Sequence, residues 1–346
     1  METKANEIDL IGSELQKADQ VKNDVPASVG MLSIKSANKT ITDAKQRPDP
    51  IPLWLSLWNQ GEISCLFSDS NLGKSIYAVQ IADHIAKDRK VLYFDFELSD
   101  KQFQLRYTDE FGNVHRFPEN LYRVELDPEM MAFSGNFEDA IMENIEAAAK
   151  ETNAKVLIID NLTYLCSAAE KGDIAGSLMM RLKKMQKADR DLSMLIVAHT
   201  PKRPLSNPIT QNDLAGSKKL YNFFDSVFAI GQSAKDQNLR YIKQIKVRAG
   251  RYEYDSENVI ICSIEKERDA FLKFVQIGFG REREHLSEPS DRDQGIMIEQ
   301  ILSMTRSGES QRKIAAQLGI SQAKVCRILK SAGISTPDPQ LFTESK

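Results

Sequence analysis

Ser68-Asp69-Ser70-Asn71-Leu72-Gly73-Lys74-Ser75 is the stretch on which the reading of this chain turns. Before it, Glu62 to Phe67 (EISCLF) is apolar enough for a short buried strand. After it, Ile76, Val79, Ala82 and Ile85 recur near helical spacing, which predicts a helix over residues 76–87. Strand, loop, Gly-Lys-Ser and helix, in that order, is the layout of a phosphate-binding loop. The chemistry needs the order, because loop N–H groups and the positive end of the helix surround an anion. Ser68 through Ile76 are the expected cradle for ATP. Lys74 is placed for the β- and γ-phosphates and the Ser75 hydroxyl for Mg²⁺. One position departs from G-x-x-x-x-G-K-[ST]. Its first glycine is Ser68, which is small but lacks glycine's backbone freedom. The bland alternative is an ordinary helix N-terminus that happens to carry Gly-Lys-Ser.

The 346 residues allow two or three domains, and the formal net charge of -3 excludes a chain that is basic along its whole length. Any nucleic-acid contact has to be local. Cys65, Cys166, Cys262 and Cys326 are scattered with no C-x-x-C pair, which argues against structural zinc and fits a reducing cytosol. The N-terminus has no basic-then-apolar signal, and no apolar run reaches membrane-spanning length, so a cytoplasmic protein without a membrane partner is expected. Residues 1–46 are polar and mixed in charge and read as a disordered tail, with Ile8, Leu10, Ile11 and Leu15 suited to one short amphipathic helix. Trp54 and Trp58 read as core anchors, with nucleotide stacking as the alternative.

Three further apolar runs end in a polar residue. Val91 to Phe96 runs into Glu97, Lys155 to Ile159 into Asp160, and Ser193 to Ala198 into His199. Near-continuous apolar runs of this kind belong to central parallel strands. A carboxylate at such a strand tip beside a phosphate loop is placed to orient water, as for Glu97, or to serve Mg²⁺, as for Asp160. The plain alternatives are a solvated strand-end glutamate and a structural histidine. Helices are expected over 137–152 and 173–187. Residues 201–213 read as a long loop carrying Lys202 and Arg203, both candidates for DNA contact. Strands over 226–230, 239–247, 258–264 and 271–277 follow too closely for crossover helices, so they are expected to be antiparallel. The fold class is therefore α/β, with a mainly parallel central sheet.

Residues 281–295 (REREHLSEPSDRDQG) carry charge without an apolar period and read as a linker. Three short helices are expected beyond it, at 296–305, 310–318 and 322–330, with Gly319-Ile320-Ser321 as the turn of a helix-turn-helix. Ala315 is small where helices would cross, and Ile314, Ile320, Val325 and Ile328 would fill the core. Between Gln294 and Lys330 six basic residues face two acidic ones, against the sign of the whole chain. Ser321, Gln322, Lys324 and Arg327 are the candidates for DNA contact. The plain alternative is a small helical packing module.

Together these residues resemble the RecA-like hexameric P-loop ATPases, in the AAA-type branch that holds plasmid RepA-type and replicative DnaB-type helicases. The resemblance covers about residues 50–278. Phe94-Asp95-Phe96-Glu97-Leu98-Ser99 with Gln102 and Arg106 is similar to the F-S-L-E-M-S…Q…R segment of that group. The resemblance implies a RecA-like core over 47–280; the residue pattern beyond it adds a linker over 281–295, a helix-turn-helix over 296–332 and a tail over 333–346. It implies ATP and Mg²⁺ as cofactors, Glu97 as catalytic base, Asp160 on Mg²⁺ through water, and His199 as γ-phosphate sensor. Lys246-Val247-Arg248-Ala249-Gly250 looks like the K-x-R-x-G segment whose basic pair enters the neighbouring subunit's ATP site. The implied assembly is a homo-oligomer, a hexameric ring. Duplex DNA would be held by the helix-turn-helix and single strands by ring loops. Ser68 and the lack of a primase-binding N-terminal domain depart from the replicative enzymes. The expected function is Mg²⁺-dependent ATP hydrolysis coupled to DNA, in replication or mobilisation of a plasmid or mobile element. An ATP-switched DNA-binding regulator and a helicase loader stay open as alternatives.

Overall fold

The computed structural model describes residues 28–127, 137–161, 172–200, 203–214, 218–248, 250–288 and 291–333. It divides into two compact units, Met1–Pro50 and Ile51–Lys346. In the first, Ser28–Val29 pairs antiparallel with Leu32–Ser33, and a helix spans Ala37–Lys45. That helix falls where an unstructured tail was expected. Ser36 caps it, its hydroxyl accepting the Lys39 N–H at 3.2 Å. The expected helix near residues 8–15, the C-terminal tail from 334 and Lys202 lie outside the described residues.

The second unit holds a nine-stranded sheet. Its strands are β1 (Ile63–Ser68), β2 (Val91–Asp95), β3 (Leu121–Val124), β4 (Val156–Asp160), β5 (Ser193–His199), β6 (Ser226–Gln232), β7 (Leu239–Val247), β8 (Val259–Lys266) and β9 (Leu272–Gly280). They lie in the order β9-β8-β7-β6-β1-β5-β4-β2-β3. From β6 to β3 all pairs are parallel; from β6 to β9 all are antiparallel. The helices are α1 (Lys74–Ala86), α2 (Asp100–Arg106), α3 (Phe137–Thr152), α4 (Gly172–Ala188) and α5 (Lys218–Phe223). The architecture is α/β with a mostly parallel central sheet.

Alternate side chains of the central strands serve two cores. Cys65, Phe67, Leu92, Phe94, Leu157, Ile159, Met194 and Ile196 pack with α3 and α4 on one face. Leu66, Val91, Tyr93, Val156, Ile158, Leu195 and Val197 pack with α1 on the other. Both faces are buried, so the runs read as continuously apolar rather than alternating. Each fully buried aliphatic side chain contributes about 1.5–3 kcal/mol, against about 0–1 for an exposed ion pair. The paired cores, not surface charge, therefore hold the strand ends in place. Trp58 is fully buried, and Trp54 donates its indole N–H to the Tyr77 hydroxyl at 2.8 Å.

The charged stretch from Arg281 departs from the linker expectation. Glu282 and His285 are buried, 1% and 2% exposed. Glu282 accepts from Lys243 Nζ at 2.5 Å and from the Ile209 N–H at 2.8 Å, and His285 Nδ1 bonds the Ser233 hydroxyl at 2.8 Å. An acid with a lysine across the sheet is buried at less cost than an unpaired one. The C-terminal helices are α6 (Asp291–Arg306), α7 (Gln311–Leu318) and α8 (Gln322–Ser331), the first starting five residues before the expected 296. Ile301, Ile314, Ala315, Val325 and Leu329 form their core. Gly319 sits at φ 65, and the Ser321 hydroxyl caps α8. No helix among the described residues is long and apolar enough to cross a membrane.

Candidate active site

Strand register gathers the expected residues at one end of the sheet. Ser68 lies opposite His199, Asp95 opposite Asp160, and Asp160 opposite Val197. In open α/β sheets, ligands bind at these carboxyl ends. The loop from Ser68 turns there into α1. Gly73 adopts φ 91, and a Cβ on it would come within 2.9 Å of the Ile264 side chain. Glycine is needed on both counts. Asn71 supplies a second positive φ, 64. Ser68, the departure from the motif, is the last residue of β1 and has no positive φ. Its hydroxyl turns back to donate to the Asp69 carbonyl at 2.9 Å. A side chain is therefore accommodated where the pattern has glycine.

No side chain caps α1, so the first N–H groups of the helix keep their capacity for an anion. Lys74 Nζ donates to the carbonyls of Ser68, at 3.0 Å, and Asp69, at 3.1 Å. Burial pushes its ammonium below the usual lysine range, with Asp160, Glu97 and Asp69 working against the shift. Asp160 is buried, and burial pushes its carboxyl up to about 6 despite hydrogen bonds from the Ser75 and Tyr93 hydroxyls. A buried carboxylate raised this far, with a serine hydroxyl on it, suits a divalent cation that would favour the ionised form. An uncapped helix start, a lysine bonded to backbone carbonyls and this serine–aspartate pair fit Mg²⁺-ATP.

Glu97 projects beyond the end of β2. Asn161 Nδ2 donates to Glu97 Oε1 and lies 3.0 Å from His199 Nε2, which is itself 3.4 Å from Glu97 Oε1. The His199 hydrogen bond holds the Glu97 carboxyl below the usual range, against burial. An ionised carboxylate at this place is what a general base requires.

The structure thus brings together the loop, Lys74, Ser75, Glu97, Asp160 and His199. It adds Asn161 and Tyr93, which sequence reading passed over. Asn161 follows directly on Asp160, and an asparagine closing so apolar a strand was the available signal. Arg203, a candidate for DNA contact, instead points inward. It is 6% exposed, its Nε lies 3.2 Å from Asp69 Oδ2, and it donates to the Asn207 carbonyl at 2.9 Å. Lys246 and Arg248 lie at the opposite end of the sheet, since Val247 pairs with Ser226 and Ser226 with Ser64. Arg248 donates to Asp225 Oδ1 at 2.8 Å, and Lys246 to the Tyr221 carbonyl at 3.0 Å. Neither reaches the phosphate loop of its own chain.

A family model described as an AAA domain matches residues 34–204. The match spans the phosphate loop, Glu97, Asp160 and His199 and ends before Lys246, Arg248 and the three C-terminal helices. A comparison with curated proteins found no match. Among solved structures, a KaiC-like protein from the hyperthermophilic archaeon Pyrococcus horikoshii OT3 is similar at 14% identity and a TM-score of 0.45, over 63% of this chain and 91% of that one. The AAA-domain match and the geometry of the loop support a P-loop ATPase that binds and hydrolyses nucleotide.

Proposed function

We propose that this chain is a Mg²⁺-dependent ATPase that works on DNA, as a RepA-like helicase in replication or mobilisation of a plasmid or mobile element. The observation that carries the reading is the pairing of an ionised glutamate with the phosphate loop in a chain that also presents an exposed basic helix. Mg²⁺ supplies charge neutralisation at the β- and γ-phosphates when ATP is bound. Glu97 orients and deprotonates the attacking water. Lys74 and the start of α1 would hold the phosphates, Ser75 and, through water, Asp160 would hold the cation, and His199 would sense the γ-phosphate. At the other end of the chain, Ser321, Gln322, Lys324 and Arg327 are all exposed along the start of α8. With the turn at Gly319, they have the layout of a recognition helix.

A nucleotide-switched DNA-binding regulator is the second reading, and one contact favours it. Asn212 Nδ2 donates to the Gln317 carbonyl of α7 at 2.9 Å. Asn212 lies on the segment that begins with Arg203 at the phosphate loop. Strand displacement separates the two readings. Unwinding supports the helicase, and nucleotide-dependent duplex binding without unwinding supports the regulator.

Deleting residues 291–346 removes site-specific duplex binding and leaves basal ATPase at the full-length level. The cut must spare Glu282, because its loss leaves the Lys243 ammonium without its carboxylate partner. Lys324→Ala with Arg327→Ala weakens duplex binding, and the log–log salt slope falls by about 0.9 for each phosphate that is no longer neutralised. A truncated chain that still footprints one sequence would place DNA reading in the ATPase core.

A further inference from the structure

Arg123 lies on the edge strand β3, outside every motif, yet its contacts converge on the bend that carries Glu97. Its Nε donates to Asp95 Oδ2 at 2.9 Å, one terminal nitrogen to Asp100 Oδ1 at 2.6 Å, and the other to the Leu98 carbonyl at 2.5 Å. The last nitrogen is also 2.6 Å from the Glu125 carboxylate, and the guanidinium lies over the Phe103 ring at 4.9 Å. Asp95 is buried, 3% exposed. Its second oxygen accepts the N–H of Glu97 at 3.2 Å and of Leu98 at 3.0 Å. One carboxylate and one guanidinium therefore hold the backbone on both sides of Glu97.

The sheet itself does not hold this bend. β2 ends at Asp95, and the Phe96 N–H bond to the Asp160 carbonyl, at 2.9 Å, is the last that ties the chain to β4. The Glu97 side chain is 39% exposed, so packing does not fix its direction. We propose that Asp95 and Arg123 are positioning residues for ATP hydrolysis, aiming the Glu97 carboxylate at Asn161 and His199 rather than at solvent. The proposal rests on the reading of Glu97 as the base. Arginine suits the task because its planar fork serves four acceptors in fixed directions. A lysine keeps a cation beside Asp95 but cannot hold Asp100 and the Leu98 carbonyl as well.

The test is a double-mutant cycle on the full-length chain. Arg123→Ala, Arg123→Lys, Glu97→Gln and the combination of the last two are compared for kcat, KM for ATP and thermal midpoint. Arg123→Lys and Arg123→Ala lower kcat by about 10–10², the scale of an ångström-level misplacement, with KM for ATP unchanged. Glu97→Gln lowers kcat by about 10²–10⁴. Adding Arg123→Lys to Glu97→Gln costs nothing further, because the group being aimed has gone. The lysine variant keeps a cation beside buried Asp95, so the test survives an alanine variant that fails to fold. Wild-type kcat in folded Arg123→Lys overturns the proposal. So does a KM that rises in step with the loss, or an equal further loss on Glu97→Gln. Normal turnover by Glu97→Gln overturns the base assignment itself. A slow Glu97→Gln beside a fast Arg123→Lys overturns only the positioning role.

Discussion

Lys74→Ala abolishes ATP hydrolysis, a loss of at least about 10²–10³, the amount carried by one preorganised donor at developing charge. Nucleotide binding weakens as well. Among the described residues, Lys74 Nζ is bonded only to the carbonyls of Ser68 and Asp69, a place from which it can move onto phosphates. Its removal does not threaten the fold. Burial sets its pKa below the unfolded value, so the folded chain holds that proton less tightly than the unfolded chain. The charge therefore opposes folding below the folded pKa, and the penalty fades as pH rises through the interval up to the unfolded value. At neutral pH the alanine variant keeps or raises its thermal midpoint, and inactivity reports on the site. Turnover at the wild-type rate would remove the loop from the chemistry.

Arg248→Ala binds ATP and fails to hydrolyse it, with a loss of about 10³–10⁵ if the residue acts as an arginine finger. Within one chain Arg248 is half exposed and paired with Asp225 at the sheet end remote from the loop. That geometry excludes action on its own nucleotide in this conformation. In a heterologous ring, one face of each subunit meets the opposite face of the next, which gives such a residue a route to the neighbour's γ-phosphate. The opposing view is that Arg248 only pairs with Asp225, worth about 0–1 kcal/mol at this exposure, with turnover intact. Mixtures decide. Arg248→Ala and Lys74→Ala, each inactive alone, regain partial activity together, because some interfaces join an intact loop to an intact finger. No recovery in subunits shown to exchange, or a fully active Arg248→Ala chain, excludes the shared site.

Much of the fold was legible because burial on both faces of a parallel sheet writes an uninterrupted apolar run. β2, β4 and β5 announce themselves this way, and each run ends at or beside its candidate site residue. The helix over Phe137–Thr152 carries a local period and was found at its observed bounds. Contacts between distant residues leave no such trace. Arg123 is 28 residues from Asp95, and nothing near either predicts the bond. Glu282 looked like linker because its partner Lys243 lies 39 residues away, on β7. Arg203 looked like a surface cation because charge alone does not say which way a loop turns. Ser68 looked like a defect because the motif names a glycine, while backbone angles decide whether one is required.

The most direct measurement is the ATPase rate of the full chain in Mg²⁺ and in excess chelator, without DNA and with single- or double-stranded DNA. The expected result is hydrolysis that needs Mg²⁺ and rises when DNA is added. Hydrolysis that is absent, or that proceeds at one rate whatever DNA is present, would contradict an ATPase coupled to DNA.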